Sequence, residues 1–309
     1  MIYTVTLNPA LDRELAVPAI EFDAVLRASA LRVDYGGKGF NVSRALASLG
    51  SETVAVGLVG GPTGQRIADG LAGLGIATDF VQISGETRTN VSIVSDSEAH
   101  HIKVNEAGPT ISAEETQALL AKVGELAGSG DWWVLSGSLP PGMEPSVYAE
   151  LVQIVQNAGG RAVLDTSGAP LRHACEVAPY LAKPNAFEAS ELTGLPVDTT
   201  EDVAAVARNI AEMGVPNVLI SLGKDGALLY NGSETWLATP PKIAEANPIG
   251  AGDSSVAGLV YGLSQGLDWP DVLRWSMGCG AAAASLPGTG VGSRDLVAQM
   301  ADQVRVDMV

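Results

Sequence analysis

The chain has 309 residues, 46 % of them hydrophobic, with 18 basic against 35 acidic side chains and a formal net charge of −17. Such a composition builds a sizeable core and excludes a disordered chain. The charge argues against nucleic acid or an anionic membrane as a partner.

Residues 2–7 alternate apolar side chains with Thr4 and Thr6 before Asn8-Pro9, which predicts a strand and a break. Residues 41–49 predict a helix with Val42, Ala45, Leu46 and Leu49 on one face and Gly50 as its stop. A strand over 53–59 and a helix over 63–74 follow. Short strands over 90–94 and 101–104 then interrupt the alternation. It resumes at Ser112, which has capping-box spacing with Glu115 ahead of a helix to residue 126. Next come a strand over 132–135, a helix over 145–155, strands over 161–164 and 181–183, a helix over 200–213, and strands over 218–222 and 226–230. Helices over 252–263, 269–284 and 294–304 complete the chain.

Strands alternating with helices predict an α/β fold with a mostly parallel sheet covered on both faces, and ligands beyond the carboxyl ends of its strands. Segments 11–35 and 86–108 break the alternation. They predict a small β-rich lid over a core made of 1–10, 36–85 and 109–309. No apolar run is long and charge-free enough to span a bilayer, and MIYTVTLNP lacks the pattern of a signal peptide. Cys175 and Cys279 are far apart and read as free, buried thiols of a reducing compartment, so a cytoplasmic protein is expected. His100 and His101 are adjacent and His173 stands alone, which makes no zinc site.

Two glycine-rich segments carry the chemistry. In the first, Gly250, Ala251, Gly252 and Asp253 directly precede an apolar helical run. Small residues at a helix N-terminus let a phosphate approach backbone N–H groups, and Asp253 in the first turn can take a proton from an attacking hydroxyl. From this segment alone, an aspartate that merely starts a helix is an equal reading. The second segment, Tyr35-Gly36-Gly37-Lys38-Gly39-Phe40-Asn41, also opens a helix and adds a cation; a flexible loop with a solvated lysine explains it as well. The chain has no G-x-x-x-x-G-K-[ST] and no fitting G-x-G-x-x-G, so a P-loop enzyme and a dinucleotide dehydrogenase are disfavoured.

These segments, in their order and spacing, resemble the two signatures of the ribokinase-like (phosphofructokinase-B) carbohydrate kinases. The likeness extends through Thr6 to Asp12, Thr87-Arg88-Thr89-Asn90, Ser136 to Gly142, Lys183-Pro184-Asn185 with Glu188, and Ser221 to Gly226. It is nearest to the branch acting on phosphorylated hexoses: 1-phosphofructokinase, tagatose-6-phosphate kinase and the minor 6-phosphofructokinase.

The resemblance implies a three-layer α/β/α core with a β-rich lid and an ATP-dependent phosphosugar kinase. It casts Asp253 as general base and the backbone of Gly250, Ala251 and Gly252 as an anion hole. Asp12, Gly39 and Asn41 would contact the sugar, and Lys38, Arg88 and Lys103 would hold its phosphate. Lys183, Ser221, Gly223 and Gly226 would meet ATP, while Asn185 and Glu188 would organise Mg²⁺, partly through water. Cys279 falls in the late helix that lines the adenine pocket of such kinases, where a small core residue explains it equally. A homodimer through the lid is also expected. The Pro248-Ile249 pair departs from the Thr-Val or Thr-Thr of many members, which leaves monovalent-cation activation open. Two rivals stand beside this reading: a kinase of an unphosphorylated sugar or nucleoside, and a non-catalytic sugar-phosphate sensor.

Overall fold

A computed structural model describes residues 1–97 and 100–309. The chain begins with β1 (Ile2–Thr6), β2 (Ala10–Val17), β3 (Ala30–Gly36), α1 (Lys38–Ser48), β4 (Thr53–Val59) and α2 (Gly61–Gly73). It continues through β5 (Ala77–Gln82), β6 (Arg88–Ser95), β7 (His101–Val104), α3 (Ala113–Leu126), β8 (Trp132–Ser136), α4 (Val147–Asn157) and β9 (Arg161–Asp165). Then come α5 (Gly168–Cys175), β10 (Leu181–Ala182), α6 (Ala186–Thr193), α7 (Thr200–Glu212), β11 (Asn217–Ser221) and a 3-10 turn over Gly223–Asp225. Last are β12 (Ala227–Tyr230), β13 (Thr235–Thr239), α8 (Ala251–Ser264), α9 (Trp269–Ala284), α10 (Arg294–Ala301) and β14 (Arg305–Met308).

The large sheet has the order β14-β13-β12-β11-β10-β9-β8-β1-β4-β5, parallel from β5 to β11 and antiparallel beyond it. Successive side chains of a strand point to opposite faces. Trp133 and Leu135 of β8 thus join the core under α3 to α7, while Trp132 and Val134 join the core under α1, α8, α9 and α10. Helices on both faces of a parallel sheet make three layers. Crossovers from β1 lead to β4 on one side and later to β8 on the other, so a topological switch point falls at β1 and β8.

Four strands outside this sheet form a second one in the order β3-β2-β6-β7, with β2 and β6 parallel. Both segments that break the sequence alternation contribute to it.

Several elements differ from the sequence reading. α1 begins at Lys38 rather than at residue 41, because Gly37, with φ of 137°, turns the chain into the helix early. α10 ends at Ala301, short of the expected residue 304, and the chain returns as β14 against β13. The strands β5 and β13 and the short helices α5 and α6 were not anticipated. α5 opens on Gly168-Ala169-Pro170 and α6 spans eight residues, too few for a clear helical period. Among the described residues, no helix is long and apolar enough to cross a membrane.

Candidate active site

The carboxyl ends of β1, β9, β10 and β11 meet two helix N-termini. Gly250, in the left-handed region with φ of 82°, caps α8 and admits Asp253 to its first turn. Added Cβ atoms at Gly250 and Gly252 would meet nothing within 4 Å, so the space before this helix end is open to a ligand. Asp253 itself is buried, 8 % exposed, and accepts a hydrogen bond from Asn41 Nδ2 at 2.8 Å. Burial, reinforced by the negative charge of Asp165, pushes its carboxyl up to about 6; the Asn41 bond and the Lys38 and Lys183 charges pull the other way.

Asp165, at the end of β9, has no role in the sequence reading and is the hub of the site. Its Oδ1 lies 3.1 Å from Lys183 Nζ and its Oδ2 lies 3.2 Å from Lys38 Nζ, and Ser136 donates to Oδ2 at 3.1 Å. Burial pushes this carboxyl up, but the charges of Lys183 and Lys38 and their hydrogen bonds hold it below the usual carboxylate range. Lys38 responds in reverse. Burial lowers it, yet the carboxylates Asp165, Asp253 and Glu188 raise it overall. The Lys183 side chain is 6 % exposed and that of Lys38 is 43 % exposed, so Lys38 is the one open to a ligand. The signal that could have found Asp165 is an acid directly after the apolar run of β9, at a strand end where ligands bind.

Glycine at 39 answers to packing: a Cβ there would press on the Val5 carbonyl at 2.6 Å and Thr6 Oγ1 at 2.7 Å. It lets α1 close on the end of β1, where Phe40 N donates to Thr6 Oγ1.

A second cluster sits on the small sheet. Asp12 of β2 is level with Asn90 of β6, whose Nδ2 donates to Asp12 Oδ1 at 2.7 Å. Burial raises the Asp12 carboxyl, against the Asn90 bond and the charges of Lys103 and Arg88. A Cβ at Gly36 would overlap Asp12 Oδ2, so this glycine makes room for the carboxylate. Arg88 donates to the carbonyls of Pro9 at 3.4 Å, Glu106 at 2.8 Å and Asn8 at 2.9 Å. Three of its five N–H groups thus staple two loops, which leaves two for a ligand. Lys103 is exposed on β7, on the same sheet.

Asn185 and Glu188 form a capping box on α6: Asn185 Oδ1 accepts from Glu188 N, and Glu188 Oε2 accepts from Asn185 N, each at 2.9 Å. Asn185 bridges Ser221 at the end of β11, which brings the expected metal and nucleotide elements side by side. Gly223 and Gly226 both have positive φ, and a Cβ at Gly226 would overlap the Ala238 carbonyl. Cys279 is buried on α9, and burial pushes its thiol up to about 12, which leaves it an inert core residue. The structure therefore joins Asp253, Asn41, Lys38, Asp165 and Lys183 into one network. Asp12, Asn90, Arg88 and Lys103 form a neighbouring one on the second sheet.

Residues 6–295 match the family model described as pfkB family carbohydrate kinase. A 1-phosphofructokinase of Borreliella burgdorferi is 35 % identical over 308 residues, covering 99 % of this chain and 98 % of its own length. A 1-phosphofructokinase of Bacillus subtilis is 35 % identical over 306 residues, covering 99 % of each chain. The crystal structure of phosphofructokinase-2 from Escherichia coli in complex with potassium superposes with a TM-score of 0.93 at 31 % identity, over 97 % of this chain and 98 % of that one.

Proposed function

We propose that this chain, which belongs to the pfkB family of carbohydrate kinases, moves the γ-phosphoryl group of ATP onto a hydroxyl of a phosphorylated ketohexose, with Asp253 as general base. The observation that carries the reading is Asp253 itself: a buried carboxylate in the first turn of α8, before a helix end whose Gly250 and Gly252 leave open space. The sugar oxygen bonds to the γ-phosphorus as the bond from that phosphorus to the bridging oxygen of ADP breaks, and the hydroxyl proton passes to Asp253. A carboxyl near pH 6 is ionised at neutral pH and still basic enough to take that proton. Backbone N–H groups of α8 offset the charge on the transferred group.

Lys38 and the free N–H groups of Arg88 supply positive charge for the phosphate already on the sugar, with Lys103 nearby, while Asp12 and Asn41 orient its hydroxyls. Lys183, Ser221, Gly223 and Gly226 face ATP. Asn185 and Glu188 offer hard oxygen donors, and Glu188 Oε1 has no protein hydrogen bond among the described residues. Among those residues no group of three or more His, Cys, Asp or Glu side chains gathers as a cage. That set would hold a magnesium ion partly through water, and the ion would offset the charge of the ATP phosphates.

The second sheet acts as a lid that excludes water, over domain limits near residues 11–35 and 86–108. Phe22, Val25, Leu31 and Val104 on or beside it are 83 %, 85 %, 52 % and 61 % exposed, which supports a homodimer paired through this sheet. Two free, buried thiols fit a cytoplasmic protein.

A coupled ADP-release assay across fructose 1-phosphate, fructose 6-phosphate, tagatose 6-phosphate, fructose and ribose tests the reading. The name shared by the relatives makes fructose 1-phosphate the first to try. Turnover only with unphosphorylated sugars would favour the rival kinase, and none with any sugar would favour a sensor.

A further inference from the structure

Arg44 stands one helical turn beyond Asn41 on α1 and has no part in the mechanism above. Its Nη1 donates to Asn41 Oδ1 at 3.3 Å and to Thr289 Oγ1 at 3.3 Å, and its Nη2 donates to the Thr289 carbonyl at 3.3 Å. Thr289 lies on the segment between α9 and α10. Asn41 turns its other amide atom, Nδ2, to Asp253 Oδ2. The two ends of an amide differ in kind: the oxygen only accepts and the nitrogen only donates. A donor held on Oδ1 therefore decides which end meets the carboxylate. With the amide flipped, a carbonyl oxygen would face a carboxylate oxygen, and Asp253 would lose its one hydrogen-bonding side chain among the described residues.

We infer that Arg44 is a positioning residue for the transfer: anchored on Thr289, it holds the Asn41 oxygen and so keeps the amide N–H on Asp253. The inference rests on the reading of Asp253 as base. It also explains an arginine at a place where a solvated helix face would accept any polar residue. Arg44 is half-buried between α1 and the segment at 289, with Asp34 and Arg32 of β3 and Asp12 of β2 as its charged neighbours. The charged groups facing Asp253 are Asp165 from β9, Lys38 from α1 and Lys183 beyond β10. None of these is bonded to Arg44, whose partners are Asn41 and Thr289, and the double variant below separates the amide from the loss of the Arg44 charge itself.

The test measures kcat/KM against pH with the same sugar phosphate and ATP for every variant, so that substrate ionisations cancel. Donation to a carboxylate favours its ionised form. Arg44→Met, which keeps length and loses the donors, should move the acid limb up by about one pH unit, so that activity falls about fivefold at pH 6 and much less at pH 8.5. Arg44→Lys restores a cationic donor and should bring the limb back towards wild type. Asn41→Ala should shift the same limb, and adding Arg44→Met to it should shift it no further.

An unmoved limb in Arg44→Met, or a further shift in the double variant, overturns the inference. If Arg44→Met does not fold, Thr289→Val removes one anchor of the guanidinium. That variant must shift the limb upward by a smaller amount, and no shift overturns the idea. Asp253→Asn separates the two readings. If it retains turnover, the base assignment fails; if the limb depends on Asp253 but not on Arg44, this inference fails alone.

Discussion

Asp253→Asn should make the protein more stable at neutral pH while it abolishes turnover. Burial and the charge of Asp165 move this carboxyl from 3.8 to about 6. The folded chain thus binds the proton more tightly than the unfolded one. The cost of Asp253 is absent below pH 3.8, where the group is protonated in both states, grows as pH rises towards 6, and is complete above it. That cost is about 3 kcal/mol at pH 8 and about half as much at pH 5. Asparagine keeps an oxygen for Asn41 Nδ2 and carries no charge, so it relieves the cost. For a chain of 309 residues the gain corresponds to a rise in Tm of about 5 °C at pH 8. Thermal unfolding of wild type and variant at pH 5 and pH 8, beside the coupled assay, reads both effects. A Tm gain that is equal at the two pH values, or a loss at pH 8, would refute the account of Asp253 as a carboxylate held ionised at a cost. The trade of stability for function is of the kind expected where a site buries charge.

Asp165→Asn strands the buried Lys183 ammonium without its partner, and should cost about 3–5 kcal/mol in chemical denaturation, partly recovered in the double variant with Lys183→Met. In the same variant the acid limb of kcat/KM should move down, because the negative charge that raises Asp253 is gone. Gly36→Ala drives a methyl group into Asp12 Oδ2, so KM for the sugar phosphate should rise about tenfold or more while KM for ATP stays near wild type in initial-rate kinetics. Asn185→Ala loses the α6 cap, for about 1 kcal/mol of stability in denaturation, and KM for ATP at limiting magnesium should rise further than in excess magnesium.

The features read correctly from sequence alone are those whose cause is local. The αL glycine and small residues before α8, the capping spacing of Ser112 with Glu115, and the apolar faces of α1, α7 and α9 each depend on residues within a turn or two of one another. Asn185 and Glu188 were legible as a pair for the same reason. The edge strand β5 was not, whereas the short β10 was read over 181–183. β5 is half-buried from Thr78 to Val81 with no alternation between buried and exposed faces, so it shows no clean period.

Composition and motif order thus determined the α/β class, the glycine-lined helix start and the cation-bearing segments. Only the tertiary structure decided which of these side chains meet. Lys38 reaches Asp165 across 127 positions and Asn41 reaches Asp253 across 212. Such contacts depend on β1, β8, β9 and β10 lying side by side in the sheet, and strand order is set by the packing of whole layers. A periodicity of two or 3.6 residues says which face of an element is buried, and nothing about the neighbour it is buried against.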